Sequence, residues 1–500
     1  MSERNCGILL HITSLPGLEG TGTLGNEALL FIDFLKNTEQ KYWQILPLGP
    51  AGYGNSPYQC YSAFAGNPLL IDLHELKACL LLSAGDLSNI PGFNKSQIDF
   101  EKTACWKMPL LKKAFENFQK IQPDGLAEEY NQFLEEHNWW LQDFALYMSA
   151  KKYFKNVPWQ RWDDELKFRD KKAVRKYSEL LERDCEEQKF IQFLFFRQWF
   201  KIKHYANSKG IQIIGDLPLY VSGDSVDVWA NTNIFQLDND LEPILTGGVP
   251  PDYFSETGQL WGNPVYDWQQ LKKRNFDWWM ARLHFNLNLF DKVRIDHFRG
   301  LESFWAVPAG EKSAVNGRWI PAGGYQILSK FREQTGHLPF WAEDLGVITP
   351  EVESLRNHFN LPGMKVLQFA FSTDAKNQYL PHNYSPGFIA YTGTHDNNTT
   401  LGWLRSLKGN EKKLARSYLG NTNKKRLKNA IELIWSSCAE TAVIPLQDLL
   451  MLGEKARMNR PGTSSGNWQW RFRTNQLKTK HISFLKIITS RYNRELSATS

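Results

Sequence analysis

Asp291-Lys-Val-Arg-Ile-Asp-His-Phe-Arg-Gly300 decides how the rest of the chain is read. Val293, Ile295 and Phe298 mark a short buried strand that ends where charge begins. Arg294 and Asp296 are two apart, so on a strand they share a face, with the carboxylate nearer the strand end. An ion pair at positions where Val or Leu would normally point inward is either a structural salt bridge or part of a site. Other strand ends decide between these.

Outward from that stretch the same pattern recurs. Gly7–Thr13 and Tyr42–Leu48 are predicted strands, with helical spacing over Asn26–Leu35 between them, and this predicts a parallel βαβ unit. A third strand, Ile211–Pro218, finishes on Asp216 after the long amphipathic run Glu187–Lys209. The opening stretch is the fourth strand and follows a helix over Phe276–Asn288. Leu338–Asp344 ends on Glu343 and Asp344, Met364–Phe371 is the sixth strand, and Gly387–Asp396 ends on His395 and Asp396. Thr441–Leu446 is the eighth. Helical stretches at Gly324–Thr335, Glu351–Phe359, Glu411–Leu419 and Leu427–Ser436 separate most of these later strands. Eight strands alternating with helices predict the α/β class and a closed (β/α)8 TIM barrel. Residues 1–500 are read as one catalytic barrel domain. A large, mostly helical insertion at 49–185 lies between strands two and three, and an active-site loop insertion covers 217–275. Long βα loops then cover the C-terminal mouth.

In such a barrel the C-terminal ends of the strands converge on one mouth, where active sites sit. Asp216, Asp296, Glu343 and Asp396 end strands three, four, five and seven. Four acids at one face repel each other unless a cation, a proton or a reacting substrate is there. Arg294 supplies one cation, and His297 and His395 supply hydrogen bonds. A divalent metal fits such acids, and so does glycoside chemistry with one carboxylate ionised and another protonated. Arg294 is expected to lower the pKa of Asp296, while the apolar Phe340-Trp-Ala342 run is expected to raise that of Glu343. This asymmetry favours acid/base division over metal binding. Tyr53, Tyr58, Tyr253, Phe254, Trp261 and Tyr266 lie in irregular segments facing the mouth, and their rings suit pyranose faces.

Composition sets the outer bounds. Hydrophobic content of 42% with 22% charged residues is that of a globular chain. The net charge of +6 is small for this length, and the basic runs Lys412–Arg416 and Lys424–Lys428 and the segment after Arg471 read as solvated faces. No nucleic-acid partner is expected. The six cysteines have neither metal-ligand nor disulfide-framework spacing. No stretch reaches 18 apolar residues, and residues 1–6 lack a basic segment leading into a long apolar core. The expectation is a cytoplasmic protein without a membrane partner; nothing in the sequence sets an oligomeric state.

Seven blocks carry a family resemblance: Ser56-Pro-Tyr with Gly66-Asn-Pro; Gly215-Asp-Leu-Pro; residues 248–264; Arg294-Ile-Asp-His-Phe-Arg-Gly; Ala342-Glu-Asp-Leu-Gly; Gly393-Thr-His-Asp-Asn-Asn-Thr; and Ala456-Arg-Met-Asn-Arg-Pro-Gly-Thr. In this order they resemble the 4-α-glucanotransferases of glycoside hydrolase family 77, the amylomaltases or disproportionating enzymes. The block at 248–264 separates that family from ordinary α-amylases. The resemblance implies α-1,4-glucans and malto-oligosaccharides as substrates, no metal and no organic cofactor. It implies that Asp296 is the nucleophile, Glu343 the acid and base, and Asp396 the transition-state stabiliser. Arg294, His297, His395, Asp216 and Tyr58 would line the subsite before the cleavage point. Trp261 would stack an acceptor sugar, Asn459 would contact sugar, Tyr53 would touch glucan more remotely, and the 248–262 loop carrying Tyr253 would close over the cleft. Retention by double displacement calls for Asp296 and Glu343 carboxyls about 5–5.5 Å apart. The alternatives are an α-1,4-glucan hydrolase on the same barrel and a non-catalytic glucan-binding protein.

Overall fold

The computed structural model describes residues 4–251, 255–372 and 376–496. Eight parallel strands form one sheet: β1 (Asn5–Leu9), β2 (Tyr42–Gln44), β3 (Gln212–Leu217), β4 (Lys292–Ile295), β5 (Phe340–Ala342), β6 (Gly363–Val366), β7 (Phe388–Tyr391) and β8 (Thr441–Pro445). Their order around the sheet is β6-β7-β8-β1-β2-β3-β4-β5. Chain order is thus preserved around the ring, which is what right-handed βα repeats produce. Ile8 sits opposite both Trp43 and Ile444, and all three are fully buried. Between β5 and β6 the ring closes through Ala342 N–H donating to Pro362 O at 2.8 Å, and Met364 N–H donating to Asp344 Oδ1 at 2.7 Å. The (β/α)8 TIM barrel expected from the sequence is the fold.

The strands are buried on both faces because helices pack outside and side chains fill the inside, so they read as apolar runs. Gly215 shows how tight this packing is: a Cβ there would collide with the ring of Phe290. Helices Phe100–Ile121, Leu126–Tyr153 and Glu182–Ser208 join through an aromatic seam, with Phe118 and Phe190 stacked at 4.5 Å and Phe133 against Phe193 at 5.8 Å. Lys107, wholly buried, pairs with Glu19 at 2.8 Å and ties the first of these helices to the loop after β1.

Several predicted strands stop early, the first at Leu9, the second at Gln44, the sixth at Val366 and the seventh at Tyr391, and one sheet was not expected. The fourth strand stops at Ile295, and Phe298 is buried in a 3-10 turn over Phe298–Leu301 instead of extending the strand. Buried apolar residues in a tight turn and in a strand have the same sequence signature. Part of 217–275, read as loop without periodicity, is a second sheet. Leu245–Val249 pairs antiparallel with Gln259–Pro264 and with Ser303–Pro308, which in turn pairs with Arg318–Pro321. This sheet joins the excursions after β3 and β4 into one structure.

Candidate active site

The acids gather around one guanidinium. Asp216 and Arg294 are register partners across β3 and β4. Arg294 donates from Nε to Asp216 Oδ1 at 3.1 Å and from Nη2 to Asp216 Oδ2 at 2.7 Å. The same Nη2 reaches Asp296 Oδ1 at 2.8 Å, which is the shared strand face expected from the two-residue spacing. Asp216 is fully enclosed, whereas Asp296 keeps 28% of its side chain open to the cleft. Tyr58, from the loop after β2, donates its hydroxyl to Asp216 Oδ2 at 2.7 Å and accepts from Arg294 Nη2 at 3.3 Å. His395 Nε2 lies 2.9 Å from that hydroxyl and 3.3 Å from Asp396 Oδ2. The Tyr58 hydroxyl hydrogen is engaged by Asp216, so the hydrogen between Tyr58 and His395 is assigned to Nε2. Burial lowers the pKa of His395, which keeps the ring neutral in that tautomer.

Glu343 lies just beyond β5. Its N–H donates to Ile295 O at 3.0 Å, its O accepts from Phe298 N–H at 3.1 Å, and its Oε2 accepts from His297 N–H at 2.7 Å. His297 adopts left-handed dihedrals, φ 51° and ψ 49°, which a non-glycine residue rarely does. That turn aims its amide at the Glu343 carboxyl, one residue from Asp296. Such strain persists where surrounding structure over-determines it, commonly at functional sites. The His297 ring meets Trp261 edge-on at 4.8 Å. Asp396 is held from behind, with Asn459 Nδ2 donating to its Oδ1 at 2.6 Å and Arg457 Nη2 donating to its backbone O at 2.6 Å.

Arg294 lowers the proton affinity of Asp296, as expected, but not by enough to keep it an ordinary carboxylate. Arg294 does not hold Asp296 below the ordinary carboxylate range. Burial pushes Asp296 up to about 7, the charges of Asp216 and Asp396 add to that push, and Arg294 opposes it without winning. The geometry explains why: two of the three Arg294 hydrogen bonds to carboxylates go to Asp216. Glu343 is pushed well above its usual value by burial and then by the charge of Asp296, against Arg294 and the His297 N–H. Both carboxyls are thus raised, and the apolar enclosure expected to raise Glu343 is its largest cause. The two carboxyls titrate together.

Tyr58, Asp216, Arg294, Asp296, His297, Glu343, His395, Asp396 and Asn459 form one connected cluster, and Trp261 joins it through His297. Tyr53 does not: it stands 79% exposed, and no side-chain contact joins it to these groups among the described residues. Tyr253 and Phe254 lie outside the described residues. Sequence reasoning passed over Arg457 and Trp468, whose ring lies 5.8 Å from Tyr58 and 6.0 Å from His395. Arg457 was visible inside the Ala456-Arg-Met-Asn block; Trp468 carried no signal.

The family model described as 4-alpha-glucanotransferase, glycoside hydrolase family 77, matches residues 10–477. The chain belongs to this family. It is 47% identical over 504 residues to the 4-alpha-glucanotransferase of Synechocystis sp., covering all of both chains. It is also 47% identical over 500 residues to that of Thermus thermophilus, covering 98% of this chain and 99% of the relative. The solved amylomaltase from Streptococcus agalactiae, in complex with acarbose, superposes with a TM-score of 0.96 at 40% identity, covering 99% of this chain and 100% of that one. The chain is an enzyme of the 4-α-glucanotransferase type.

Proposed function

We propose that this enzyme moves α-1,4-glucan segments from a donor to the 4-hydroxyl of an acceptor glucan or glucose by retaining double displacement. Asp296 attacks the anomeric carbon while Glu343 protonates the departing oxygen, giving a covalent glycosyl-enzyme. Glu343 then takes the proton of the incoming hydroxyl as the bond to Asp296 breaks. Asp396, held by Asn459, binds sugar hydroxyls and stabilises developing positive charge. Tyr58, Asp216, Arg294, His297 and His395 frame the donor sugar, and Trp261 stacks the acceptor. The reading rests on one observation: a Glu343 carboxyl pinned by the His297 amide beside an Arg294-bound Asp296. Malto-oligosaccharides, starch and glycogen dextrins are the substrate class, and the setting is cytoplasmic, in keeping with six unpaired thiols.

Incubation with maltotriose tests this function. Transfer yields glucose and a ladder of longer malto-oligosaccharides with a nearly constant number of reducing ends. A steady rise in reducing ends means hydrolysis instead. Asp296→Asn is expected to abolish both products while leaving the protein folded, and an undiminished ladder would clear Asp296 of the nucleophile role.

A further inference from the structure

The barrel ring has one weak seam, and it lies beside Glu343. Each of the other seven neighbouring strand pairs is held by a ladder of three to five registered residues. Among the described residues no such ladder joins β5 to β6, the two ends of the sheet order. The backbone of Glu343 is bound on its β4 side, through Ile295 and Phe298. On the β6 side one backbone bond remains, Ala342 N–H to Pro362 O at 2.8 Å, and the residue after Glu343 adds a side chain where the ladder is missing. Asp344 Oδ1 accepts the Met364 N–H at 2.7 Å, and Asp344 Oδ2 meets Arg356 Nη1 at 2.5 Å. A carboxylate thus occupies the place of a strand carbonyl.

Three further details show that this arrangement is specific. Asp344 and Arg356 are both nearly enclosed, at 6% and 10% side-chain exposure, so their pairing is little screened by water. Arg356 also lies over the ring of Phe388 at 4.5 Å, which fixes the plane of its guanidinium. Gly363, the first residue of β6, has no side chain where one would strike Arg356 Nη1 and Asp344 Oδ2. Any Cβ there would push apart the pair that holds the residue next to Glu343.

We propose that Asp344, Arg356 and Gly363 form the device that positions the Glu343 carboxyl, with Asp344 a positioning residue that itself does not touch substrate. This rests on Glu343 being the proton donor. Asp344 holds the chain on one side of Glu343 while the His297 amide holds its carboxyl from the other. The negative charge of Asp344 adds the smallest part of the upward push on the Glu343 proton affinity, behind burial and the charge of Asp296, so its main effect on Glu343 is geometric.

Leaving-group dependence tests the proposal, because fluoride departs from an α-glycosyl fluoride without being protonated. In that step the C–F bond breaks, fluoride leaves as the anion and the Asp296 carboxylate forms the ester. Asp344→Asn, Arg356→Gln and Gly363→Ala are compared with Glu343→Gln on maltotriose and on α-maltosyl fluoride, with circular dichroism and melting curves confirming the fold. Maltotriose turnover is expected to fall roughly tenfold to hundredfold in the Asp344 and Gly363 variants, the scale of a misplaced acid. The burst of fluoride should stay within about threefold of the parent enzyme, as its step needs no acid. Glu343→Gln should show the same selectivity more strongly. Equal losses on both donors, or no loss on either, overturn the positioning role. Selective loss in Glu343→Gln but not in the others refutes the seam alone, whereas a Glu343→Gln that does not discriminate removes the proton-donor reading and the proposal with it. Arg356→Gln provides the same comparison should Asp344→Asn fail to fold.

Discussion

Replacing Asp216 by Asn should move the acid limb of the activity profile to lower pH. The Asp216 and Asp296 oxygens both contact Arg294 Nη2, at 2.7 and 2.8 Å, so they lie within roughly 5.5 Å of each other. At an effective dielectric of about 20, two charges at that separation interact by roughly 3 kcal/mol, or about two pH units of titration. Asp296 keeps 28% exposure, and screening by that solvent reduces the expected displacement to about one pH unit. The direction follows from the role of the group. Asp296 acts as a carboxylate, so activity is present above its pKa and is lost as pH falls through it. Burial and the Asp216 charge raise that pKa to about 7, and removing the charge lowers it. The same substitution leaves the guanidinium with Asp296 as its remaining charged partner, which acts in the same direction. The assay is kcat/KM on maltotriose between pH 4 and 9, whose acid limb reports the free enzyme. The Asn variant is expected to turn over more slowly at its optimum, since Tyr58 loses a charged acceptor. An acid limb that stays in place or rises would refute the account of Asp296 as a nucleophile raised by Asp216.

Three other perturbations separate parts of the structure. Trp261→Ala should lower the ratio of transfer to hydrolysis by roughly fivefold, the factor carried by about 1 kcal/mol of lost ring contact; counting reducing ends against glucose released measures it, and an unchanged ratio would remove Trp261 from acceptor binding. Lys107→Met leaves the buried Glu19 without its counter-ion and should cost about 3–5 kcal/mol near neutral pH. Burial already raises the Glu19 pKa against the pull of Lys107, so the variant's folded state takes up a proton on acidification. Its deficit in urea denaturation should therefore be smaller at pH 5 than at pH 8, and equal deficits would contradict the buried-charge argument. Arg494→Met removes a buried guanidinium that donates to the carbonyls of Asn5, Trp435, Ser437, Ala439 and Glu440. The expected loss is roughly 3 kcal/mol, with the pH profile of activity unmoved because those carbonyls ring the opposite end of the barrel; a displaced profile would show coupling to the site.

The barrel was legible because doubly buried parallel strands leave continuous apolar runs, and four of the eight runs lead into the acids of the site. Helix ends were read closely too, as at Gly324–Thr335, where the left-handed Gly336 stops the helix. The second sheet was not legible. Its central pairing, Leu245 with Pro308, joins segments on either side of β4, and short strands containing Gly and Pro carry no strong period. Nor was the end of β4 at Ile295, since Phe298 is equally buried in the turn that follows.

Local order in the chain was enough to place Arg294 and Asp296 on one face, because strand geometry alone dictates that residues two apart point the same way. It was also enough to expect the apolar run before Glu343 to raise the proton affinity of that carboxyl. How far Arg294 protects Asp296 was a matter for the folded molecule. Asp216, 78 residues earlier in the chain, comes alongside through the β3–β4 register and engages two of the guanidinium's donors. Charge interactions depend on distance in space and on enclosure from water. The Arg294–Asp296 contact read from the opening stretch is real, but folding buries Asp296 and shares its cation with a third residue, and burial, with the charges of Asp216 and Asp396, raises the proposed nucleophile to about 7.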